Sequence, residues 1–155
     1  MKRLPLIFFV SALALGCASS MPEQNIGASY PDAYQRALVQ FQGTPQVQTT
    51  DINDFINFLS NLGADDTADR ARELYAQDLY FSDAQMLTDS KDAVVAHFRG
   101  LVDGGATVEV DMLDVLVRDS DVYLVWKMTA EFQPVRKPVT STTIGVTHSR
   151  FNTAG

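Results

Sequence analysis

Side chains that could do chemistry are few in this 155-residue chain. It carries one cysteine, Cys17, and two histidines, His97 and His148. A structural zinc site takes four ligands, mostly histidine nitrogen or thiolate sulfur, so these residues do not support a histidine or thiolate metal cluster. We expect no metal and no other cofactor. A candidate base is Asp83, which lies in a Ser-Asp-Ala sequence that is also typical of a turn or cap.

Cys17 ends a segment with the features of a secretory signal. Two basic residues, Lys2 and Arg3, precede an apolar run at residues 4–15, which is too short to span a bilayer stably. The ending Ala14-Leu15-Gly16-Cys17 resembles a bacterial lipobox. The resemblance implies that residues 1–16 are a lipoprotein signal peptide and that lipid is attached to the sulfur of Cys17.

The lipobox also implies a location. Ala18 follows the cysteine where an aspartate favours inner-membrane retention in lipoproteins of enteric type, so we expect lipid anchoring at the periplasmic face of the outer membrane. Two alternatives stay open. The segment could be an uncleaved membrane anchor, or it could be cleaved elsewhere and leave Cys17 unmodified.

The charge balance narrows the range of partners. The formal charge is −7, and the loss of Lys2 and Arg3 with the signal peptide would make it −9. An acidic chain disfavours direct binding to nucleic acid and to anionic lipid head groups. We therefore expect contact with the membrane through lipid on Cys17, but no nucleic acid.

Residues 17–50 are predicted to form a tether, because they combine three prolines with many small and polar residues. A short helix is possible within it, since Tyr34, Leu38 and Phe41 follow helical spacing. Such a helix could dock on the domain.

Three further helices are predicted from apolar periodicity. The first begins after a cap at Thr50 or Asp51, the second follows Asp66 with Tyr75 on its apolar face, and the third is capped by Ser90. A short strand at residues 79–81 separates the second and third helices.

Alternating residues after Gly105 predict three long strands. In the first, the alternation slips by one residue between Met112 and Val115, which is the pattern of a β-bulge. The second strand is predicted at residues 122–132 and the third at about 139–151.

This order of elements resembles the cone-shaped α+β fold of the nuclear transport factor 2-like superfamily, which includes ketosteroid isomerase and the SnoaL-like cyclases. The resemblance covers residues 51–155, taken as one domain, and implies a further strand that is expected to be missing here. Residues 74–83, Leu-Tyr-Ala-Gln-Asp-Leu-Tyr-Phe-Ser-Asp, are similar to the isomerase stretch that carries the general base, and Asp83 falls on that aspartate. Thr147 and Ile56 fall near the positions of the two oxyanion donors.

The resemblance also places a pocket between the helices and the core-facing side of the sheet. The residues expected to contact a ligand are Phe55, Leu59, Phe98, Trp126, Met128 and Thr147. His148 and Arg150 would face the opposite side, where such domains often form homodimers. His97 is predicted to be a half-buried structural histidine.

Since neither oxyanion position holds a strong donor, we favour a domain that binds a small, largely apolar ligand or a protein partner without chemistry. Two other functions stay open. One is an enzyme of SnoaL or isomerase type that uses Asp83 as a base next to a carbonyl. The other is an assembly or scaffolding lipoprotein whose sheet edge pairs with another chain.

Overall fold

A computed structural model describes residues 30–132 and 137–152 as an α+β fold, and the predicted fold class is confirmed. The helices are α1 (Tyr30–Gln40), α2 (Thr49–Ser60), α3 (Thr67–Leu74) and α4 (Lys91–Asp103). The strands are β1 (Asp78–Ser82), β2 (Leu87–Ser90), β3 (Thr107–Arg118), β4 (Asp121–Phe132) and β5 (Val139–Arg150). All strand pairings among these elements are antiparallel.

The helices follow the predicted periodicity, with one correction at a cap. Helix α2 begins at Thr49 with Gln48 in the cap position, so neither Thr50 nor Asp51 caps it. Helix α4 is capped as predicted, because the Ser90 hydroxyl accepts a hydrogen bond from the Ala93 amide at 3.3 Å. The short helix within the predicted tether is α1.

Strands β1 and β2 form a hairpin, of which the sequence predicted only the first strand. The sequence Leu-Thr-Asp-Ser of β2 has a single apolar residue, so it carries no alternating pattern. Its inward side chain is Thr88, which is buried despite being polar.

The larger sheet has the strand order β3-β4-β5 and contains the predicted bulge. The pairing of β3 with β4 shifts between Met112 and Asp114, so Leu113 is the extra residue. A two-residue turn joins the strands, and its Asp119 has a positive φ of 55°.

The core lies between α2, α3, α4 and one end of this sheet. Phe58, Val94, Val122 and Leu124 have no exposed surface. Further along the same face of β4, Trp126 and Met128 are only half-buried. The helices therefore cover one end of the sheet face and leave the other end accessible.

Candidate functional site

Asp83 lies in the turn between β1 and β2 and is held by the hairpin itself. Its Oδ1 accepts hydrogen bonds from the backbone amides of Gln85 at 2.7 Å and Met86 at 2.8 Å. The Asp83 amide in turn donates to the Met86 carbonyl at 3.0 Å. This geometry is an Asx turn, so the structural interpretation of Asp83 describes its hydrogen bonds.

His97 on α4 contacts the other carboxylate oxygen of Asp83. Its Nε2 lies 2.9 Å from Asp83 Oδ2, and its side chain is 13% exposed against 34% for Asp83. Burial raises the pKa of Asp83, but hydrogen bonds from His97 and from the two backbone amides outweigh that effect and bring the pKa below its ordinary value of 3.8. Both oxygens of Asp83 are therefore engaged, and the carboxylate is a weaker base than a free aspartate.

An aromatic cluster backs this pair. The ring of His97 lies 5.8 Å from that of Phe81 and 5.4 Å from that of Phe98. Tyr75 stacks on Phe98 at 5.9 Å and meets Phe81 edge-on at 5.8 Å. Burial raises the pKa of Tyr75 well above its ordinary value of 10.0, and the charge of Asp83 raises it further. The hydroxyl therefore stays protonated.

Tyr75 was predicted on the apolar face of the second helix and within the 74–83 stretch that resembles the isomerase. It lies directly after the end of α3 and shares its surroundings with the candidate base. Its ring neighbours come from α2, β1 and α4. A grouping of this kind has no signal in local periodicity, because the contributing elements are separated along the chain.

The two positions predicted for oxyanion donors are not arranged for that role. Ile56 has no polar atom in its side chain and packs against the core. The Thr147 hydroxyl accepts a hydrogen bond from Trp126 Nε1 at 2.9 Å. Among the hydrogen bonds of residues 30–132 and 137–152, none joins Thr147 to Asp83.

The predicted ligand residues fall into two groups. Phe55, Leu59 and Phe98 are 7%, 9% and 5% exposed and belong to the closed core. Trp126 packs at the margin of that core, and Met128 lies half-buried beyond it. A ligand could reach the second group without opening the core.

The second group belongs to a surface that none of the described helices covers and that we call the uncovered ledge. It consists of Trp126, Met128, Thr143, Gly145 and Thr147. Cross-strand pairing places Thr143 opposite Met128 and Gly145 opposite Trp126 on one sheet face. A Cβ atom at Gly145 would lie 2.3 Å from the Trp126 ring, so the indole packs directly against the glycine backbone. The ledge combines an aromatic ring, a thioether and two threonine hydroxyls.

The opposite sheet face carries a polar cluster that the sequence did not predict, formed by Asp121, Arg150, His148 and Tyr34. Asp121 is 7% exposed and binds Arg150 through both oxygens, at 2.7 and 3.2 Å. His148 Nε2 lies 2.9 Å from Asp121, and His148 Nδ1 lies 2.9 Å from the Tyr34 hydroxyl. His148 and Arg150 lie on the sheet face predicted for them, and their acidic partner is the first residue of β4.

Farther along this outer face, Ile144 and Val146 are 68% and 63% exposed. The predicted homodimer would use this face, and it stays a prediction. The described residues also line surface depressions, which include one of about 370 Å³ beside Asp121 and Arg150 and one of about 390 Å³ between α3 and α4.

Within the described ranges, no group of three or more histidine, cysteine, aspartate or glutamate side chains is arranged to hold a metal ion. None of the described helices combines the length and apolarity that crossing a membrane requires. Cys17 and the predicted signal peptide lie outside the described residues.

Comparison with known proteins identifies the domain. A sequence profile of the SnoaL-like domain matches residues 54–153. No curated protein matches the chain.

Solved structures that are similar to this chain have low sequence identity to it. A protein assigned as a SnoaL-like polyketide cyclase from Jannaschia sp. CCS1 is 15% identical, with a TM-score of 0.49 over 64% of this chain and 76% of that chain. An LEH-like epoxide hydrolase of M. tuberculosis is 16% identical, with a TM-score of 0.46 over 63% and 68% of the two chains. The structure named "Rd1NTF2_04 with long sheet" is 16% identical, with a TM-score of 0.45 over 61% and 86%.

The profile spans most of the chain, from α2 to the end of β5, and so includes the Asp83–His97 pair, the aromatic cluster and the ledge. This chain therefore belongs to the SnoaL-like domain family, and its described residues form an α+β fold.

Proposed function

We propose that this SnoaL-like domain is anchored by lipid on Cys17 at the periplasmic face of the outer membrane and binds a small, largely apolar ligand on the uncovered ledge. The observation that carries the binding proposal is the partial exposure of Trp126 and Met128 on the sheet face that elsewhere forms the core. The anchoring rests on the lipobox resemblance.

The ledge has the composition of a small-molecule site. Ligand sites combine apolar and aromatic walls with a few polar groups that orient the ligand. Here Trp126 and Met128 supply the apolar surface, and the hydroxyl of the exposed Thr143 supplies a hydrogen-bonding group. Each 100 Å² of apolar surface covered by a ligand would contribute about 2.5 kcal/mol.

The state of Asp83 supports binding over catalysis. General base catalysis by a lone group gives about 10²-fold to 10⁴-fold acceleration. Larger gains in this chemistry need donors placed at the developing oxyanion. Asp83 is engaged in three hydrogen bonds, and neither Ile56 nor Thr147 offers a strong donor.

Fluorescence titration tests the proposed site, because Trp126 is the only tryptophan of the chain. We expect its emission to shift when apolar fluorescent or steroid-like compounds are added to the folded protein lacking residues 1–17. Met128→Lys should weaken binding at least tenfold, because it places a charge on the ledge. Val146→Lys puts the same charge on the opposite face of β5 and should leave binding unchanged.

A folded sample that shows no shift across a chemically varied panel would contradict the ligand proposal and favour the scaffolding function. Equal loss of binding in Met128→Lys and Val146→Lys would place the ligand away from the ledge.

An enzyme of isomerase type is the second candidate, and the 2.9 Å contact between Asp83 and His97 favours it, because a carboxylate–histidine pair can hold and move a proton. We expect no efficient isomerisation of a Δ5-3-ketosteroid by the wild-type domain. Thr147→Asp supplies the missing carboxylic acid and serves as a gain-of-function probe. Efficient turnover by the wild type that disappears in Asp83→Asn would instead establish the enzyme.

A further inference from the structure

Among the described residues, helix α1 fully buries no large apolar side chain, and its Leu38 and Tyr34 are only partly buried. Its two buried side chains are Ala33 and Ala37, both small. Its larger apolar side chains include Val39, which is 75% exposed, and Tyr30, which is 51% exposed. An isolated helix of this length is marginal in water. Hydrophobic burial alone therefore holds α1 weakly.

Helix α1 is also attached by a ring contact between Tyr34 and Tyr80, whose centroids lie 6.4 Å apart, and by polar contacts to the end of β5. Arg150 Nη1 donates hydrogen bonds to the carbonyl oxygens of Leu38 and Phe41, both at 2.8 Å, at the C-terminal end of α1. Carbonyl groups at this end have no partner within the helix. The guanidinium therefore caps the helix with a positive charge, which the helix dipole also favours.

Asp121 holds this attachment in place. It fixes Arg150 through both carboxylate oxygens and fixes His148 through one of them. His148 then bonds the Tyr34 hydroxyl in the middle of α1 and stacks on Tyr123 with ring centroids 4.5 Å apart. The buried carboxylate of Asp121 thus orients both Arg150 and His148, the two side chains that form hydrogen bonds with α1.

The chain is fixed again immediately after α1. The Thr44 amide donates to the Phe151 carbonyl at 2.8 Å. Gly43 has a positive φ of 68°, and a Cβ there would lie 2.3 Å from the Ser120 hydroxyl, so its backbone packs closely on the β3–β4 turn. Gly43 therefore marks a boundary between a weakly packed helix and a closely packed loop.

We infer that α1 is a releasable strap, locked onto β5 by Asp121 through Arg150 and His148, with its hinge at Gly43. Release frees residues 30–42 while the domain stays folded. The strap precedes residue 54, where the family match begins.

The strap has a consequence for reach, and this part rests on the proposed lipid at Cys17. When α1 is docked, the described chain is attached to the domain from Tyr30 onward. Release of the strap adds the 13 residues 30–42 to the segment between the lipid and the domain, and these residues extend to about 45 Å at most. The strap therefore sets how far the domain stands from the membrane.

Hydrogen exchange on the full chain in detergent, read by mass spectrometry, tests the release. In the wild type, amides of residues 30–40 should exchange through a local opening that low denaturant does not accelerate. Amides of α4 should exchange at least tenfold more slowly. Asp121→Asn should speed exchange in residues 30–40 at least tenfold, and Tyr34→Phe should speed it about fivefold because one hydrogen bond is lost.

Asp111→Asn is the matched control, because Asp111 forms an exposed ion pair with Lys127 on the same sheet and does not touch α1. It should leave exchange in residues 30–40 unchanged. Exchange of α1 and α4 at one common rate in the wild type overturns the strap, as does unchanged exchange of α1 in Tyr34→Phe. If Asp121→Asn also loses protection in α4, the whole domain is destabilised in that variant, and exchange of α1 in Tyr34→Phe decides the test.

Release is measured independently of the anchor, so the two proposals fail separately. If Cys17 takes up no labelled palmitate but α1 exchanges through a local opening, only the consequence for reach is wrong. If Cys17 takes up the label but α1 shows no local opening, the strap is wrong and the anchor remains.

Discussion

Asp121 and Asp83 show how the same side chain takes different roles in different surroundings. Asp121 is 7% exposed and accepts hydrogen bonds from the guanidinium group of Arg150 and the imidazole ring of His148, both on β5. Asp83 is more exposed and accepts two of its bonds from its own turn. Replacement of Asp121 should therefore disturb contacts between elements, whereas Asp83 mainly organises a hairpin.

The pH dependence of stability should report Asp121. Hydrogen bonds from Arg150 lower the pKa of Asp121, which outweighs the opposing effect of burial, and His148 lowers it further. A carboxyl group with a lowered pKa stabilises the fold above its unfolded pKa of about 3.9, and this stabilisation is lost as pH falls through the folded value. Asp121→Asn should therefore cost about 3 kcal/mol at pH 7, because it breaks a buried ion pair.

Urea unfolding of wild type and Asp121→Asn at pH 7 and at steps below pH 4 measures this difference. The gap between the two free energies of unfolding should shrink as pH falls below about 4. Asp111→Asn, at an exposed pair, should cost at most about 1 kcal/mol. A gap that stays constant from pH 7 to pH 3 would show that the charge of Asp121 is not what stabilises the sheet.

At the scale of elements, β4 and β5 pack together where the large side chain of Trp126 lies against Gly145, which has no side chain. Trp126 on β4 lies opposite Gly145 on β5, and its indole nitrogen bonds the Thr147 hydroxyl two residues along. The ledge depends on this contact, because the glycine leaves the space that the indole fills.

Gly145→Ala should displace the Trp126 ring, since the new Cβ would lie 2.3 Å from it. We expect a loss of about 1–3 kcal/mol, as in other overpacked sites, together with a changed Trp126 emission maximum in the folded state. Gly100→Ala is the matched control, because nothing lies within 4 Å of a Cβ at that helix position. It should be neutral or stabilise α4 by about 0.5–1 kcal/mol.

Thermal unfolding and fluorescence spectra of the two variants provide the measurement. Similar unfolding temperatures for Gly145→Ala and Gly100→Ala would mean that the indole does not pack on β5 in the way described.

At the scale of the whole molecule, the proposed lipid anchor on Cys17 would determine where the domain works. Labelling with radioactive palmitate should modify the wild-type chain and not Cys17→Ser, because the thiol is the acceptor that the lipobox implies. Cys17→Ser should accumulate as an uncleaved, slower-migrating precursor. A soluble, unlabelled wild-type protein in the periplasm would contradict the anchor.

Local patterns in the sequence predicted most of the fold. Helical periodicity identified α2, α3 and α4, and the Ser90 cap is formed by a residue three positions from its partner amide. The bulge at Leu113 was predictable because a one-residue slip in alternation shows within a single strand. The family could be inferred because the helices and strands predicted for this chain, and its segment at residues 74–83, follow the same order as in the family.

Tertiary structure alone decided the partners of the polar and aromatic side chains. Strand β2 has no pattern of its own and forms because β1 folds back on it. Asp83 meets His97 across 14 positions, Asp121 meets Arg150 across 29, and Arg150 meets Leu38 across 112. Such pairs depend on sheet register and on how helices lie across the sheet, which no local pattern encodes. The predicted pocket shows the same limit. The sequence suggested which residues line it, but packing determined that Phe55, Leu59 and Phe98 lie in the closed core while Trp126 and Met128 stay partly accessible.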